Sequence, residues 1–305
     1  MSTPLQTSQL NLADYVAKGV WAKENNNGII NRLAPETEFL YGNTDLYTFT
    51  GTPKAQLVGE GANKTSDTPA PSKVVAKTYK LQITRRMSQE VLNADEDHQL
   101  RYVDLLIKDC MKALDRAIDL VSFHGINPMT GEVDESVLNY IAKSENGVEH
   151  IDSTDNAAAD IRNLAAKLQG NGYNASAIAL DPVYAGTLAR LTKTDGSQMF
   201  PELGLGFNVN SFGGLRAAVS NTVSASKEIA SPIAGGKRIQ AIMADWDAFK
   251  WGVREIVPLE RIDYGNPDGA GDLKQMNQVA FRAEIYLAFA ILDGKAFAVI
   301  DKAEA

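Results

Sequence analysis

Apolar residues recur along this chain with two periods. Leu100, Val103, Leu106, Ile107, Cys110, Met111, Leu114, Ile118 and Val121 follow the three- and four-residue spacing of one buried helical face. Asp104, Lys108, Lys112, Asp115, Arg116 and Asp119 take the opposite face, and Asp104 and Lys108 form an i, i+4 pair of the favourable sense. Asp95, Glu96 and Asp97 crowd the start, where the helix dipole favours negative charge, and Gly125 stops the run. Residues 87–125 thus hold the longest helix of the chain. From 95 to 123 it spans ~40 Å at ~1.5 Å per residue, the length of a spine. Ser88 is placed to cap a short turn before it.

The second period is two. Val75, Lys77, Tyr79, Leu81 and Ile83 alternate with Ala76, Thr78, Lys80 and Gln82, the pattern of a strand with one covered face. Residues 46–50 and 55–58 supply an outgoing strand, so 45–84 read as a long β-hairpin whose polar tip is GEGANKTSDTPAPS, residues 59–72. A hairpin this long and polar cannot bury both faces at home, and is expected to extend away and dock on a partner. Residues 1–38 form an arm with a weak helical pattern (Leu12, Tyr15, Val16, Val20) broken at Asn25-Asn26-Asn27-Gly28.

After the spine, residues 126–155 read as irregular. Helices are expected at 157–168 and from Pro182 to 191, with strands at 177–180, 215–220, 239–245 and 253–262. The apolar segments 276–292 and 296–300, joined at Asp293-Gly294, come too late to found a new domain. They are expected to return and pack against the spine. The architecture is α+β.

Bulk properties narrow the function. The 305 residues carry a formal charge of −8, which argues against nucleic-acid binding through a broad basic surface. A single cysteine, Cys110, excludes an intrachain disulfide framework and fits a reducing compartment. No apolar run has the length of a membrane span, and MSTPLQTSQL lacks the basic and apolar regions of a signal peptide.

The order of arm, hairpin, spine helix, α/β insertion and returning strands resembles the major capsid proteins of tailed bacteriophages with the Hong Kong 97-like fold. The resemblance covers nearly the whole chain and rests on VGEGANKTSDTPAPSKVVAKTYKLQITRRMSQEVLNAD (58–95), MNQVAFRAEIYLAFAILDG (276–294) and IALDPVYAGTL (178–188). It implies an N-arm at 1–44, an extended hairpin or E-loop at 45–84, a peripheral domain at 85–150 and 258–305, and an axial domain at 151–257. It implies hexamers and pentamers that close an icosahedral head around phage double-stranded DNA, without sequence-specific contacts. It also implies assembly in the host bacterial cytoplasm, with the virion as the product. Scaffold, portal and decoration proteins are the implied partners. The arm begins almost at Met1, without the scaffolding extension that some relatives carry, so a separate scaffold or none is expected. Two other readings remain open at this point: an encapsulin-like nanocompartment shell, and a soluble α/β enzyme.

Some members of that family join an E-loop lysine to a peripheral-domain asparagine as an isopeptide bond, aided by a glutamate. The resemblance carries these roles to Lys64, Asn277 and Glu284, the last two in NQVAFRAE. The lysine must lose its proton against a reference pKa of ~10.4, which burial lowers, and a glutamate in an apolar site can accept it. Seven residues apart on a strand, Asn277 and Glu284 face opposite ways, which is no objection if they serve different subunits, as the resemblance implies. The plainer alternative makes Lys64 a solvated loop charge, Asn277 a strand-edge amide, and Glu284 half of an ion pair with Arg282 or Lys80.

Other residues carry less. Cys110 is expected to be a buried small hydrophobe. His98, His124 and His150 lack metal-ligand spacing, and residues 263–272 lack the alternating acidic ligands of a calcium loop. Gly235-Gly236-Lys237 lacks phosphate-loop spacing. No metal or cofactor is expected. Trp21, Trp246 and Trp251 are expected to anchor a core or an interface, and Arg85-Arg86 to form an intersubunit ion pair in preference to a DNA contact.

Overall fold

The alternating run expected from 75 to 83 lies within one long strand that anchors a sheet. The computed structural model describes residues 28–39, 42–49, 55–64, 71–98, 102–203, 209–225 and 237–303. In chain order the elements are α1 (Ile30–Leu33), β1 (Thr44–Phe49), β2 (Pro71–Ser88), α2 (Gln89–His98), α3 (Tyr102–His124), β3 (Glu149–Asp152), α4 (Ala157–Gly170), β4 (Ala177–Leu180) and α5 (Pro182–Ala189). They continue with β5 (Ser211–Phe212), β6 (Leu215–Val219), β7 (Lys237–Ala244), β8 (Phe249–Ile262), β9 (Gln278–Ile291) and β10 (Phe297–Ala303).

Two sheets result. The first is four-stranded and antiparallel, in the order β1-β2-β9-β8. Thr44 pairs with Ala76 and Phe49 with Pro71, which makes the hairpin, and β2 then runs on beside β9 as far as Ser88 opposite Gln278. The second is six-stranded and mixed, in the order β3-β10-β7-β4-β6-β5. Its central strands, AIAL in β4 and FAVI in β10, are buried along their length, because both faces are covered. Ile178, Leu180, Ala298 and Ile300 pack under Ile161, Leu164 and Leu168 of α4. Ala177, Ala179, Phe297 and Val299 face a larger core shared with α3 and β9. An unbroken apolar run is what two-sided burial demands.

That larger core is where the sheets meet. Leu114, Ile118 and Val121 of α3 join Ala283, Ile285, Leu287 and Phe289 of β9 there, so the expected return of the late strand to the spine is met. Trp246 sits at its centre, 0% exposed, with edge contacts to Phe123, Phe249 and Phe297.

Residues 28–39 form a strap over this junction. Ile29, Ile30, Leu33 and Ala34 are buried in the core. Arg32 donates to the Val209 and Ala217 carbonyls and to Asn210 at 2.9–3.3 Å. The Trp251 indole donates to the Ala34 carbonyl at 3.1 Å, and Thr37 N–H to the Trp251 carbonyl at 2.7 Å. The strap lies so close to β8 that a Cβ at Gly252 would overlap the Thr37 carbonyl oxygen, and one at Gly28 would overlap that of Asp115 on α3.

Several expectations change. The helix begins at Gln89, not Asp95: Ser88 Oγ accepts from Val91 N–H at 3.4 Å and caps α2, and a second helix, α3, starts at Tyr102, with 99–101 outside the described residues. Asp119, assigned to the polar face of the spine, is 0% exposed because the strap covers it, whereas Ile107 and Met111 are 38% and 40% exposed. Residues 55–58 form no strand. The expected boundary between axial and peripheral parts at 257/258 falls inside β8, which pairs with β9 from Phe249 onward, and β10 joins the six-stranded sheet instead of the four-stranded one. The helical pattern at 12–23, together with Trp21, lies outside the described residues.

Candidate assembly site

The hairpin presents unpaired apolar surface. Among the described residues β1 is the edge of its sheet. Leu46 and Val74 lean on a small cluster of Phe39, Ala76, Ala288 and Ala290, but Tyr47 is 68% exposed and Leu57, in the connecting segment, is 100% exposed. Gly61 adopts φ +77° at the turn before Lys64, and Lys64 is exposed.

Asn277 immediately precedes β9, in the left-handed region at φ +52°. Its backbone carbonyl accepts from Gln89 N–H at 3.0 Å and its carboxamide nitrogen donates to Glu90 Oε1 at 2.6 Å. Glu90's own backbone N–H, the Asn277 amide and the Ser88 hydroxyl hold its carboxyl below the usual carboxylate range. A polar recess lined by Gln89, Arg261, Asp263, Lys274 and Asn277 opens beside this pair.

Glu284 lies elsewhere. It sits in mid-β9 opposite Gln82, ion-paired with Lys80 at 2.8 Å and 4.0 Å from Arg282, about 23 Å along the strand from Asn277 at ~3.3 Å per residue. Lys80, bonded to this carboxylate, has its pKa raised. Within one chain, then, Asn277 and Glu284 are apart, and Glu284 makes the ion pairs that its plainer reading named. Glu90 is the carboxylate that meets Asn277. Its signal was the Ser88 cap, which puts Glu90 in the first turn of a helix and so beside the start of β9.

The basic pair after the hairpin also resolves within the chain. The Arg86 guanidinium is bound by both carboxylate oxygens of Asp268, by Asn266 and Gln278 side chains and by the Gly271 carbonyl. It organises the loop 264–272, within the stretch 263–272 weighed for calcium. The intersubunit role expected of Arg86 is therefore replaced by an internal one, since a buried guanidinium needs its partners at home. Arg85, half exposed, lies 3.4 Å from Asp109 of α3. Cys110 is buried, and desolvation pushes its thiol up, away from the thiolate that reactivity requires. Among the described residues no group of His, Cys, Asp or Glu is arranged to hold a metal, and no helix is long and apolar enough to cross a membrane.

The comparison that decides the family covers almost the whole chain: residues 13–302 match the model of the phage capsid family. The chain belongs to the phage capsid family. No curated protein matches it. Among solved structures it is similar to a protein of Mycobacterium phage Ogopogo, at 33% identity and TM-score 0.85, over 99% of this chain and 100% of that one. A protein of Gordonia phage Cozz follows at 26% identity and TM-score 0.80, over 97% and 93%. The capsid of an empty GTA particle shares the fold at 13% identity and TM-score 0.63, over 97% of each chain. This phage capsid protein is a structural protein, the major subunit of a head shell and a component of the virion. The enzyme reading falls with that membership, and the nanocompartment reading gives way to it.

Proposed function

We infer that this capsid protein assembles through hexamers and pentamers into an icosahedral head, with the hairpin of one copy lying on the next. The observation that carries this is apolar surface that one copy leaves uncovered. Tyr47 and Leu57 are exposed on a hairpin whose strand β1 is a sheet edge among the described residues. Burying them on a neighbour is favourable at ~25 cal/mol per Å², and repeated heterologous contacts of this kind close into a shell. In this reading residues 1–44 are the arm, the four-stranded sheet with α2 and α3 forms the peripheral part, and the six-stranded sheet forms the axial part. The shell encloses double-stranded DNA without reading its sequence, in keeping with the charge of −8. Scaffold, portal and decoration proteins are its partners, and assembly precedes release from the host cytoplasm.

A second step is supported by Lys64 and Asn277, both exposed. Lys64 Nζ of one copy attacks the Asn277 carboxamide carbon of another, an N–C bond forms, and ammonia leaves, with Glu284 of a copy other than the one supplying Asn277 taking the lysine proton. Electron microscopy of the protein expressed alone, with a boiled denaturing gel of the same particles, tests both. Uniform round shells are expected, with a ladder of multiples that Lys64→Ala abolishes. A single monomer band from intact wild-type shells removes the crosslink and leaves the assembly standing.

A further inference from the structure

The strap, the spine helix and the turn after β6 are fastened at one side chain. Asp119 on α3 is 0% exposed. Its Oδ1 accepts from the Ile29 and Ile30 N–H groups, both at 3.1 Å. Its Oδ2 accepts from Ile29 N–H at 2.9 Å and from Thr222 Oγ1 at 2.7 Å. Thr222 Oγ1 also lies 2.9 Å from Ser220 Oγ. Further along α3, His124 Nε2 meets the Thr222 carbonyl at 2.9 Å, and its buried Nδ1 has no hydrogen-bond partner.

We propose that Asp119 is a proton-operated latch, which holds the strap and the 220–225 turn to the spine most firmly when it carries a proton. The geometry provides for both states. Ionised, the carboxylate accepts from two backbone amides and a hydroxyl. Protonated on Oδ2, it donates to Thr222 Oγ1, whose own hydrogen turns to Ser220 Oγ, while Oδ1 keeps the Ile29 and Ile30 amides. The Ile29 and Ile30 amides and the Thr222 hydroxyl keep a partner in both states, and only the Ser220 hydroxyl hydrogen must turn elsewhere when Asp119 is protonated. The difference is a charge removed from water, which is costly where nothing neutralises it.

The surrounding charges offset that cost only in part. On α3, Asp115 raises the Asp119 pKa further, whereas the half-buried Arg116 guanidinium and the Asp119 charge attract one another, and His124 shares the helix. The strap brings Arg32, but its guanidinium is turned to Val209, Asn210 and Ala217. Residues 220–225 contain no titratable group, and Asp301 of β10 acts on His124. Burial therefore outweighs the bonds from Thr222, Ile29 and Ile30, and the Asp119 carboxyl is pushed up to about 7. Its contribution to stability is full below the unfolded value of 3.8 and is lost as pH rises through about 7. Burial also takes His124 down from 6.5 to about 4, and its contribution is full above 6.5 and is lost as pH falls toward 4. The two groups oppose one another between those limits.

Asp119→Asn tests the latch, because asparagine copies the protonated form: Oδ1 faces the strap amides and Nδ2 donates to Thr222 Oγ1. Unfolding of the full chain is measured from pH 4 to 8. The stability of the variant relative to wild type is expected to be greater at pH 8 than at pH 4, by at least about tenfold in the unfolding constant. A relative stability that does not change with pH overturns the proposal. Infrared difference spectra of the wild type alone give a second readout, independent of whether the variant folds. A protonated-carboxyl band present at pH 6, where surface carboxyls are ionised, and fading by pH 8 is expected. Its absence at pH 6 overturns the proposal.

Discussion

The two sheets of this capsid protein are built to opposite specifications. In the six-stranded sheet, β4 and the first half of β10 are inaccessible on both faces, under α4 on one side and against the Trp246 core on the other. In the four-stranded sheet, β2 alternates between exposed and half-buried positions through its first five residues, and its neighbour β1 exposes Tyr47. The first sheet draws its stability from within the chain. The second is left unfinished on its hairpin side, and a neighbouring copy can supply what is missing. Substitutions in the two should therefore separate folding from assembly.

The largest effect is expected in the shared core. Trp246 touches Phe123, Phe249 and Phe297, and its indole donates to the Ala177 carbonyl at 3.1 Å. Trp246→Ala removes that packing and leaves a cavity between the sheets. It should cost about 3–5 kcal/mol, read as a lower denaturation midpoint, with assembly failing only because the fold fails. A variant that unfolds normally would mean that the sheets are held together by something other than this cluster.

An intermediate effect is expected where the end of β2 fastens the 264–272 loop. Arg86→Ala strands Asp268 and the Gly271 carbonyl, and should cost about 1.5–3 kcal/mol, the range for hydrogen bonds to charged groups. The Arg86 guanidinium holds the Asp268 carboxyl below its ordinary value, though burial opposes it. This contribution is thus present above 3.8, the ordinary value, and is lost as pH falls below it. Wild type should lose stability in acid faster than Arg86→Ala does. Parallel acid limbs would show that the loop is not tied through this pair.

What could be read from the sequence follows the same division. Periodicity marked α4, α5, β4, β9 and the outline of the hairpin, because each buries one regular face or runs apolar throughout. The strap was illegible. Ile29, Ile30 and Leu33 are three apolar residues in a polar stretch, and what orders them is a set of long-range bonds to Asp119, Val209 and Trp251. For the same reason Asp119 was assigned to solvent: helical spacing fixes the direction of a side chain, not what another segment lays over it. The candidate crosslink residues were legible only through family resemblance. The Glu90 contact to Asn277 depended on where α2 begins, and the acidic run at 95–97 drew that start one and a half turns too late.

The smallest effect on folding is expected at the hairpin, where the effect on assembly should be greatest. Tyr47 and Leu57 make little contact within the chain, at 68% and 100% exposure, so Tyr47→Ser with Leu57→Ser should change the stability of the isolated chain by less than about 0.5 kcal/mol, as for surface substitutions generally. If these side chains are buried on a neighbour, the same variant loses up to ~1.5–3 kcal/mol for each side chain at every copy of the contact. A cooperative shell multiplies that loss. The measurement is the yield and heat resistance of particles beside the unfolding curve of unassembled protein. Normal particles from a normally folded variant would close the comparison the other way: the open sheet edge would then be solvent-facing by design, and the contacts between copies would have to be sought on the strap side of the molecule.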